Sequence, residues 1–150
     1  MVQIKLFFDG SCNVWHNPIT AAYGFIIEHE GAIVNQASEH IGAGPEMTNN
    51  LAEFEALYQG LLKIQQSSLL DAPKDTLVSV YGDSALVINI MNKRWKASPD
   101  KRYYPSYQKC VTVVKELRNS GVIISFNWIS REYNKIADKL SKSLKVVDSI

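Results

Sequence analysis

The order of apolar runs along the chain constrains its fold most strongly. Three strand-like runs come first, over residues 3–8, 21–28 and 32–41. The Glu30-Gly31 pair between the last two runs is typical of a tight turn. This part of the chain therefore predicts an antiparallel meander of three strands.

Helical patterns alternate with strand-like runs in the rest of the chain. Thr48-Asn49-Asn50 is a helix-start signal, and the apolar residues after it recur at helical spacing. Either Asp83 or Ser84 could cap a second helix. The predicted elements are a helix that starts at the 48–50 signal, a strand over 76–81, helices over 85–92 and 107–119, a strand over 122–129, and a helix over 133–145 that turns Ile136, Ala137, Leu140 and Leu144 inward.

This order predicts an α/β fold. Three antiparallel strands followed by two parallel strands, joined by right-handed crossovers, form a five-stranded mixed sheet flanked by helices. The chain has 150 residues, of which 46% are hydrophobic and 21% are charged. These values are ordinary for one globular domain over 1–150 and argue against disorder.

The charge is distributed unevenly along the chain. The net charge of +1 alone argues against a nucleic-acid partner, yet residues 1–75 carry a net −6 and residues 76–150 a net +7. The two cysteines form neither a metal-ligand spacing nor a disulfide framework. The chain has neither a signal-peptide pattern nor a membrane-length apolar run, so we expect a cytoplasmic protein that does not bind membranes. Nothing in the sequence predicts oligomerisation, and a monomer is the expectation.

Four acids occupy the predicted corners of the fold. Asp9 is expected to end the first strand and Asp83 follows the fourth strand, while Glu53 and Asp138 lie in helices. Functional groups of open α/β sheets gather at the carboxyl ends of strands. Clustered carboxylates repel one another unless a cation such as Mg²⁺ or Mn²⁺ lies between them.

Each acid also has a simpler interpretation. Asp83 alone is more often a helix cap, and Glu53 alone more often interacts with a helix dipole. Asp138 has lysines on its own helix and could be a solvated partner of one four residues away. The spacing of apolar residues along the sequence does not by itself predict that the four acids share one site.

Four sequence motifs together resemble those of the ribonuclease H family, type 1 class, in its short-loop members. The first combines Phe-Asp-Gly-Ser-Cys at 8–12 with Tyr-Gly-Phe-Ile-Ile at 23–27. The second is Thr-Asn-Asn-Leu-Ala-Glu-Phe-Glu-Ala-Leu at 48–57, and the third is Tyr-Gly-Asp-Ser at 81–84. The fourth lies within 128–140 and places an Asn four residues before an Asp. Each motif alone is weak, whereas four in order are specific.

The resemblance implies a ribonuclease H-like fold and a metal-dependent endonuclease. Such an enzyme would cut the RNA strand of an RNA/DNA hybrid and leave 5′-phosphate and 3′-hydroxyl ends. Its acids, matched here by Asp9, Glu53, Asp83 and Asp138, would hold two Mg²⁺ ions, with Mn²⁺ as an alternative.

Further residues are implied in binding the hybrid. Short amide side chains suit contacts with RNA 2′-hydroxyls in a shallow minor groove. Helix capping by the Thr-Asn-Asn segment and packing by Cys12 remain alternatives, and capping and binding can coexist. The proposed substrate-binding residues are Cys12, Thr48, Asn49, Asn50, Ser84, Lys96, Arg102, Arg131 and Asn134.

The chain departs from many bacterial members in two places. The segment 128–131, which precedes the last acid, Asp138, is short and lacks the histidine that those members carry on a flexible loop. Arg131 is the hypothetical substitute. The basic, aromatic loop over 93–106, which contains Lys96 and Arg102, would be the remnant of their longer protrusion. A solvated loop with a tryptophan anchored in the core is the alternative.

The sequence supports three alternative functions less well. A catalytically weak or inactive nucleic-acid-binding module of the same fold is the main alternative, although all four acids are present. A related nuclease or strand-transfer enzyme acting on DNA would commonly lack the Thr-Asn-Asn motif. A nucleotide-binding domain would need a phosphate-binding glycine motif, which the sequence lacks.

Overall fold

The computed structural model describes residues 1–143 and confirms the predicted order of elements. One five-stranded sheet has the strand order β3-β2-β1-β4-β5. β1, β2 and β3 pair antiparallel, and β4 is parallel to both β1 and β5. The elements are β1 (Val2–Asn13), β2 (Thr20–His29), β3 (Ala32–Ala43), α1 (Asn49–Gln65), β4 (Thr76–Gly82), α2 (Ala85–Met91), α3 (Tyr104–Asn119), β5 (Ile123–Trp128) and α4 (Lys135–Ser143).

The prediction that Asp9 ends the first strand was wrong. β1 continues to Asn13 because its pairing with β2 continues through Asp9↔Gly24 to Asn13↔Thr20. Its pairing with β4 stops earlier, at Phe7↔Tyr81. The β4-facing edge of β1 is therefore unpaired beside Asp9.

The main core lies between the sheet and α1. The predicted apolar stripe of this helix faces inward, and Phe54, Leu57 and Leu61 are fully buried in one core cluster with Leu6 and Phe8 of β1. Burying one such side chain contributes roughly 1.5–3 kcal/mol. This packing fixes the helix over the strand that carries Asp9.

Glycine allows α1 to approach β1 closely. A Cβ added at Gly10 would lie 2.2 Å from the Ala52 carbonyl carbon and 2.3 Å from the Glu53 nitrogen. Real Cβ atoms do not come so close to backbone, so only glycine fits under this turn of α1. The contact brings Glu53 directly over β1.

α4 packs on the opposite face of the sheet. A Cβ at Gly24 would lie 2.5 Å from the Ser141 nitrogen, and Ser11 Oγ donates a hydrogen bond of 2.7 Å to the Ser141 carbonyl. The prediction that Ile136 faces inward was wrong, because the helix begins only at Lys135 and its phase turns Ile136 outward, 52% exposed. Ala137 is buried as predicted, and Leu144 lies outside the described residues.

α3 begins three residues earlier than predicted, at Tyr104, because Pro105 fits the first turn of a helix. Tyr103 anchors the preceding loop: its ring is buried, stacks on Phe54 at 5.1 Å, and its hydroxyl accepts a hydrogen bond from Ser98 N–H. Trp95 is 49% exposed, so the alternative of a tryptophan anchored in the core is wrong, and Tyr103 is the buried aromatic residue of this loop. Among residues 1–143, the helices lack the length and apolar character needed to cross a membrane.

Candidate active site

Three of the four predicted acids meet at the unpaired edge of β1. Asp9, Glu53 and Asp83 each offer a carboxylate oxygen, and these oxygens lie within 4.8 Å of one another. The β1–β4 register explains why Asp9 and Asp83 lie close together. The last pair of this register is Phe7↔Tyr81, and each acid follows its strand's member of that pair by two positions. α1 delivers the third carboxylate from above.

The unpaired edge also holds Glu53 in place. Gly10 N–H, which has no β4 partner, donates a short hydrogen bond to Glu53 Oε1. The Glu53 side chain is buried, so this bond compensates part of its lost hydration. The sequence motif identified Glu53 but not the backbone donor that orients it.

Asp138 adjoins the trio from α4. Its carboxyl group interacts with that of Asp9 strongly enough to shift the pKa values of both groups, while Lys142 Nζ lies 3.1 Å from Asp138 Oδ1. The predicted pairing of Asp138 with a lysine four residues away is therefore confirmed, and it coexists with a place beside the acids. Ser141, which the sequence reasoning missed, lies with its Oγ 3.4 Å from Asp9 Oδ2.

Burial and mutual repulsion shift the acidity of the cluster. Burial, followed by the charge of Glu53, raises the pKa of Asp9 far above its usual range. Burial also raises the pKa of Glu53, despite the hydrogen bonds from Asp9 and Gly10. Burial alone would raise the pKa of Asp138, but its hydrogen bond to Asp9 and the nearby Lys142 outweigh that effect and lower it. The cluster carries more negative charge than its surroundings stabilise, which is the property of a cation site.

Arg131 reaches the cluster from the segment that precedes α4. Its Nε lies 3.4 Å from Asp83 Oδ2, and its side chain is 79% exposed while that of Asp83 is 6% exposed. Trp128 Nε1 donates a hydrogen bond to the Asp83 carbonyl at 3.2 Å. The Arg131 guanidinium is thus an exposed cation at the rim of the buried Asp83 carboxylate.

Comparison with known proteins identifies the family. A family model described as "Reverse transcriptase-like" matches residues 7–144. A ribonuclease H of Clostridium botulinum is 30% identical over 156 aligned positions, which cover 94% of each chain. The chain belongs to the ribonuclease H family.

Other relatives agree with this family assignment. The bifunctional protein Rv2228c of Mycobacterium tuberculosis is 28% identical over 83% of this chain, which spans only 31% of that protein's length. The structure of LC11-RNase H1, isolated from compost, has a TM-score of 0.78 and 29% identity and covers 97% of this chain and 96% of that one. LC11-RNase H1 in complex with an RNA/DNA hybrid has a TM-score of 0.74 and 29% identity, covering 91% and 92% of the two chains.

The residues proposed to bind a hybrid in this ribonuclease H family member lie in different settings. Thr48 caps α1, with its Oγ1 accepting from Leu51 N–H at 3.1 Å, and Asn49 and Asn50 are exposed in the first turn. Cys12 is half-buried and donates to the Met47 carbonyl at 3.5 Å. The capping role of Thr48 is confirmed, and the two asparagines remain free to contact a ligand.

Two further residues have structural tasks in the fold. Ser84, rather than Asp83, caps α2, because its Oγ accepts from Val87 N–H at 3.2 Å. Asn134 is 2% exposed and its Nδ2 donates to the Phe8 carbonyl at 2.9 Å, which fastens the start of α4 to β1 one residue before Asp9. Such burial favours a positioning role for Asn134 over contact with a substrate.

The basic loop between α2 and α3 is solvent-facing. Lys96 and Arg102 are both exposed, and the buried Tyr103 ring holds the loop against α1. The two cations are therefore presented on a fixed support, as a contact with a phosphate backbone requires.

Proposed function

We propose that this chain is a metal-dependent endonuclease that hydrolyses the RNA strand of RNA/DNA hybrids, leaving 5′-phosphate and 3′-hydroxyl ends. The observation that carries the proposal is the meeting of Asp9, Glu53 and Asp83, from three separate elements, within 4.8 Å. The likeness to LC11-RNase H1, whose structure includes an RNA/DNA hybrid, supports this choice of substrate.

The donor set fits Mg²⁺, with Mn²⁺ as the alternative. All four groups are carboxylates, which are the ligands these hard cations prefer. Asp9, Glu53, Asp83 and Asp138 would together hold two ions. When bound, such a pair supplies an activated water and stabilises the leaving oxygen. The raised pKa values of Asp9 and Glu53 support a requirement for bound cations at neutral pH.

The surrounding residues would orient the hybrid. Asn49 and Asn50 would contact sugar hydroxyls of the RNA strand in the minor groove, beside Cys12 and the capped end of α1 at Thr48. Lys96 and Arg102 would bind phosphates further away, and the exposed Arg131 would assist release of the product. Ser84 and Asn134 would act through the positions of Asp83 and α4. A cytoplasmic location and a monomeric state stay predictions from the sequence.

A substrate panel tests the proposal. The purified chain is incubated with labelled RNA/DNA hybrid, double-stranded RNA and double-stranded DNA, in Mg²⁺, in Mn²⁺ and with a chelator. We expect metal-dependent cleavage of the hybrid RNA strand and its loss in Asp9→Asn. Hybrid binding without cleavage in either metal would instead establish the catalytically weak or inactive binding module, and cleavage of DNA alone would overturn the proposal.

A further inference from the structure

The hairpin between β1 and β2 carries an unusually exposed aromatic residue at its tip, defined here as residues 14–18. Trp15 is 94% exposed and the neighbouring Val14 is 55% exposed. The turn is nevertheless fixed, because Trp15 N–H donates to Asn13 Oδ1 at 3.1 Å and His16 N–H to the Asn13 carbonyl at 3.4 Å. Two adjacent apolar side chains held in water on a hydrogen-bonded turn offer a surface that a partner can cover.

A cleft of about 450 Å³ lies directly beneath this tip, between the hairpin, β3 and α4. Its basic groups come from three elements, with His16 from the hairpin, His40 from β3 and Lys142 from α4. Ser11 and Asn13 add polar groups, and the described residues that line the cleft include no carboxylate. The chemistry therefore favours an anionic ligand with hydrogen-bonding groups.

The position of the tip relates it to the acidic cluster. β1 runs without interruption from Asp9 to Asn13, and four residues of strand span roughly 13 Å. Successive phosphates of one strand advance by about 3.4 Å along a duplex, so this distance corresponds to about four nucleotides. Lys142 joins the two places, since it lines the cleft and pairs with Asp138.

We propose that the hairpin tip and the cleft beneath it form a second contact for the nucleic acid, about four nucleotides from the cleaved bond. This inference rests on the proposed function and adds a binding residue to it. Trp15 stacks on a sugar or base face of the strand, and the groups of the cleft bind its phosphates. Aromatic stacking of this kind tolerates any sequence, because every base has a π-face.

Trp15 variants test this contact in an Asp9→Asn background, which permits equilibrium binding of an uncut hybrid. Removing a stacking residue commonly weakens nucleic-acid binding by about fivefold or more. We expect Trp15→Ala to show such a loss and Trp15→Phe to retain most of the affinity. Ile123→Ala, which removes an exposed apolar side chain at the distant start of β5, is the matched control and should bind like the parent. Trp15 is almost fully exposed, so unfolding temperatures should not change.

Kinetics in the active background separate this contact from a catalytic role. Trp15→Ala should raise KM and leave kcat unchanged, because the tip lies away from the acids. If the hybrid is bound and cleaved but Trp15→Ala matches the parent in affinity and KM, the inference fails while the proposed function stands. If the hybrid is neither bound nor cleaved, both fail. Loss of binding to anionic phospholipid vesicles in Trp15→Ala, with unchanged hybrid affinity, would assign the tip to a membrane surface and also overturn the inference.

Discussion

Gly10 and Glu53 lie in direct contact for two reasons. The Gly10 N–H donates a hydrogen bond to the Glu53 carboxylate, and the lack of a side chain at position 10 lets α1 approach β1 closely. The backbone of α1 occupies the space that a Cβ would need. The carboxylate position therefore depends on a backbone contact rather than on side-chain packing.

Gly10→Ala should reduce activity and stability together. The added methyl would overlap the backbone of Ala52 and force α1 away from β1, and such overpacking typically costs about 1–3 kcal/mol. Thermal unfolding and hybrid cleavage measure the two effects. Gly42→Ala is the matched control, because its Cβ would meet only Met47 at an ordinary 3.5 Å. Equal behaviour of the two variants would show that the close approach is unimportant.

Asn134→Ala should displace Asp138 as well as destabilise the fold. It leaves the buried Phe8 carbonyl without the Asn134 Nδ2 donor, which costs about 1–3 kcal/mol, and it releases the start of α4. Asn92→Ala is the control, since Asn92 Nδ2 makes a comparable bond of 3.0 Å to the Phe126 carbonyl at the end of α2. We expect similar losses of stability, with a fall in kcat for Asn134→Ala alone. A fall in kcat of the same size in both variants would contradict the positioning role.

The metal-free protein should lose stability as the pH rises from about 4 through neutrality. Asp9 and Glu53 have pKa values raised by folding, so the folded state binds more protons than the unfolded state in this range, and stability falls with pH. Mg²⁺ requires the deprotonated carboxylates, so its stabilising effect should grow with pH. Unfolding temperatures with Mg²⁺ and with a chelator measure this, and Asp9→Asn should flatten the dependence. An Mg²⁺ effect that is independent of pH would argue against the raised pKa values.

Arg131→Ala should slow turnover more than chemistry. The exposed guanidinium 3.4 Å from Asp83 can compete for that carboxylate and so help a product leave. We expect a steady-state rate about tenfold lower, equivalent to ~1.4 kcal/mol, with a smaller change in the single-turnover rate. Arg131→Lys, which keeps the charge, should recover part of the loss. Rates equal to those of the parent in both assays would remove Arg131 from the mechanism.

Local signals in the sequence predicted much of the fold. The Thr48 cap, the Glu30-Gly31 turn and the apolar stripe of α1 are properties of neighbouring residues, and all three are confirmed. The extension of β1 beyond Asp9 was missed because it depends on pairing with β2, which a strand-like run does not reveal. The prediction that Ile136 faces inward was wrong because a shift of one residue in the position of a helix changes which of its side chains face the sheet.

The site could be predicted only through the family motifs. Each acid alone has an ordinary interpretation, and Asp138 does pair with Lys142 as that interpretation suggests. The meeting of Asp9, Glu53 and Asp83 depends on sheet register and on the fit of α1 over Gly10, which are both non-local. Asn134 matched a motif position, yet its burial and its bond to Phe8 were visible only in the structure.

Cleavage of an RNA strand paired to DNA tests the central claim most directly. The measurement follows the 5′-labelled RNA strand in Mg²⁺ for the parent chain and for Asp83→Asn, a nearly isosteric change that removes one carboxylate of the trio. The account predicts internal cuts by the parent, with 5′-phosphate and 3′-hydroxyl ends, and a loss of cutting in Asp83→Asn and with a chelator. Cutting that persists in Asp83→Asn, or that proceeds without a divalent cation, would contradict it.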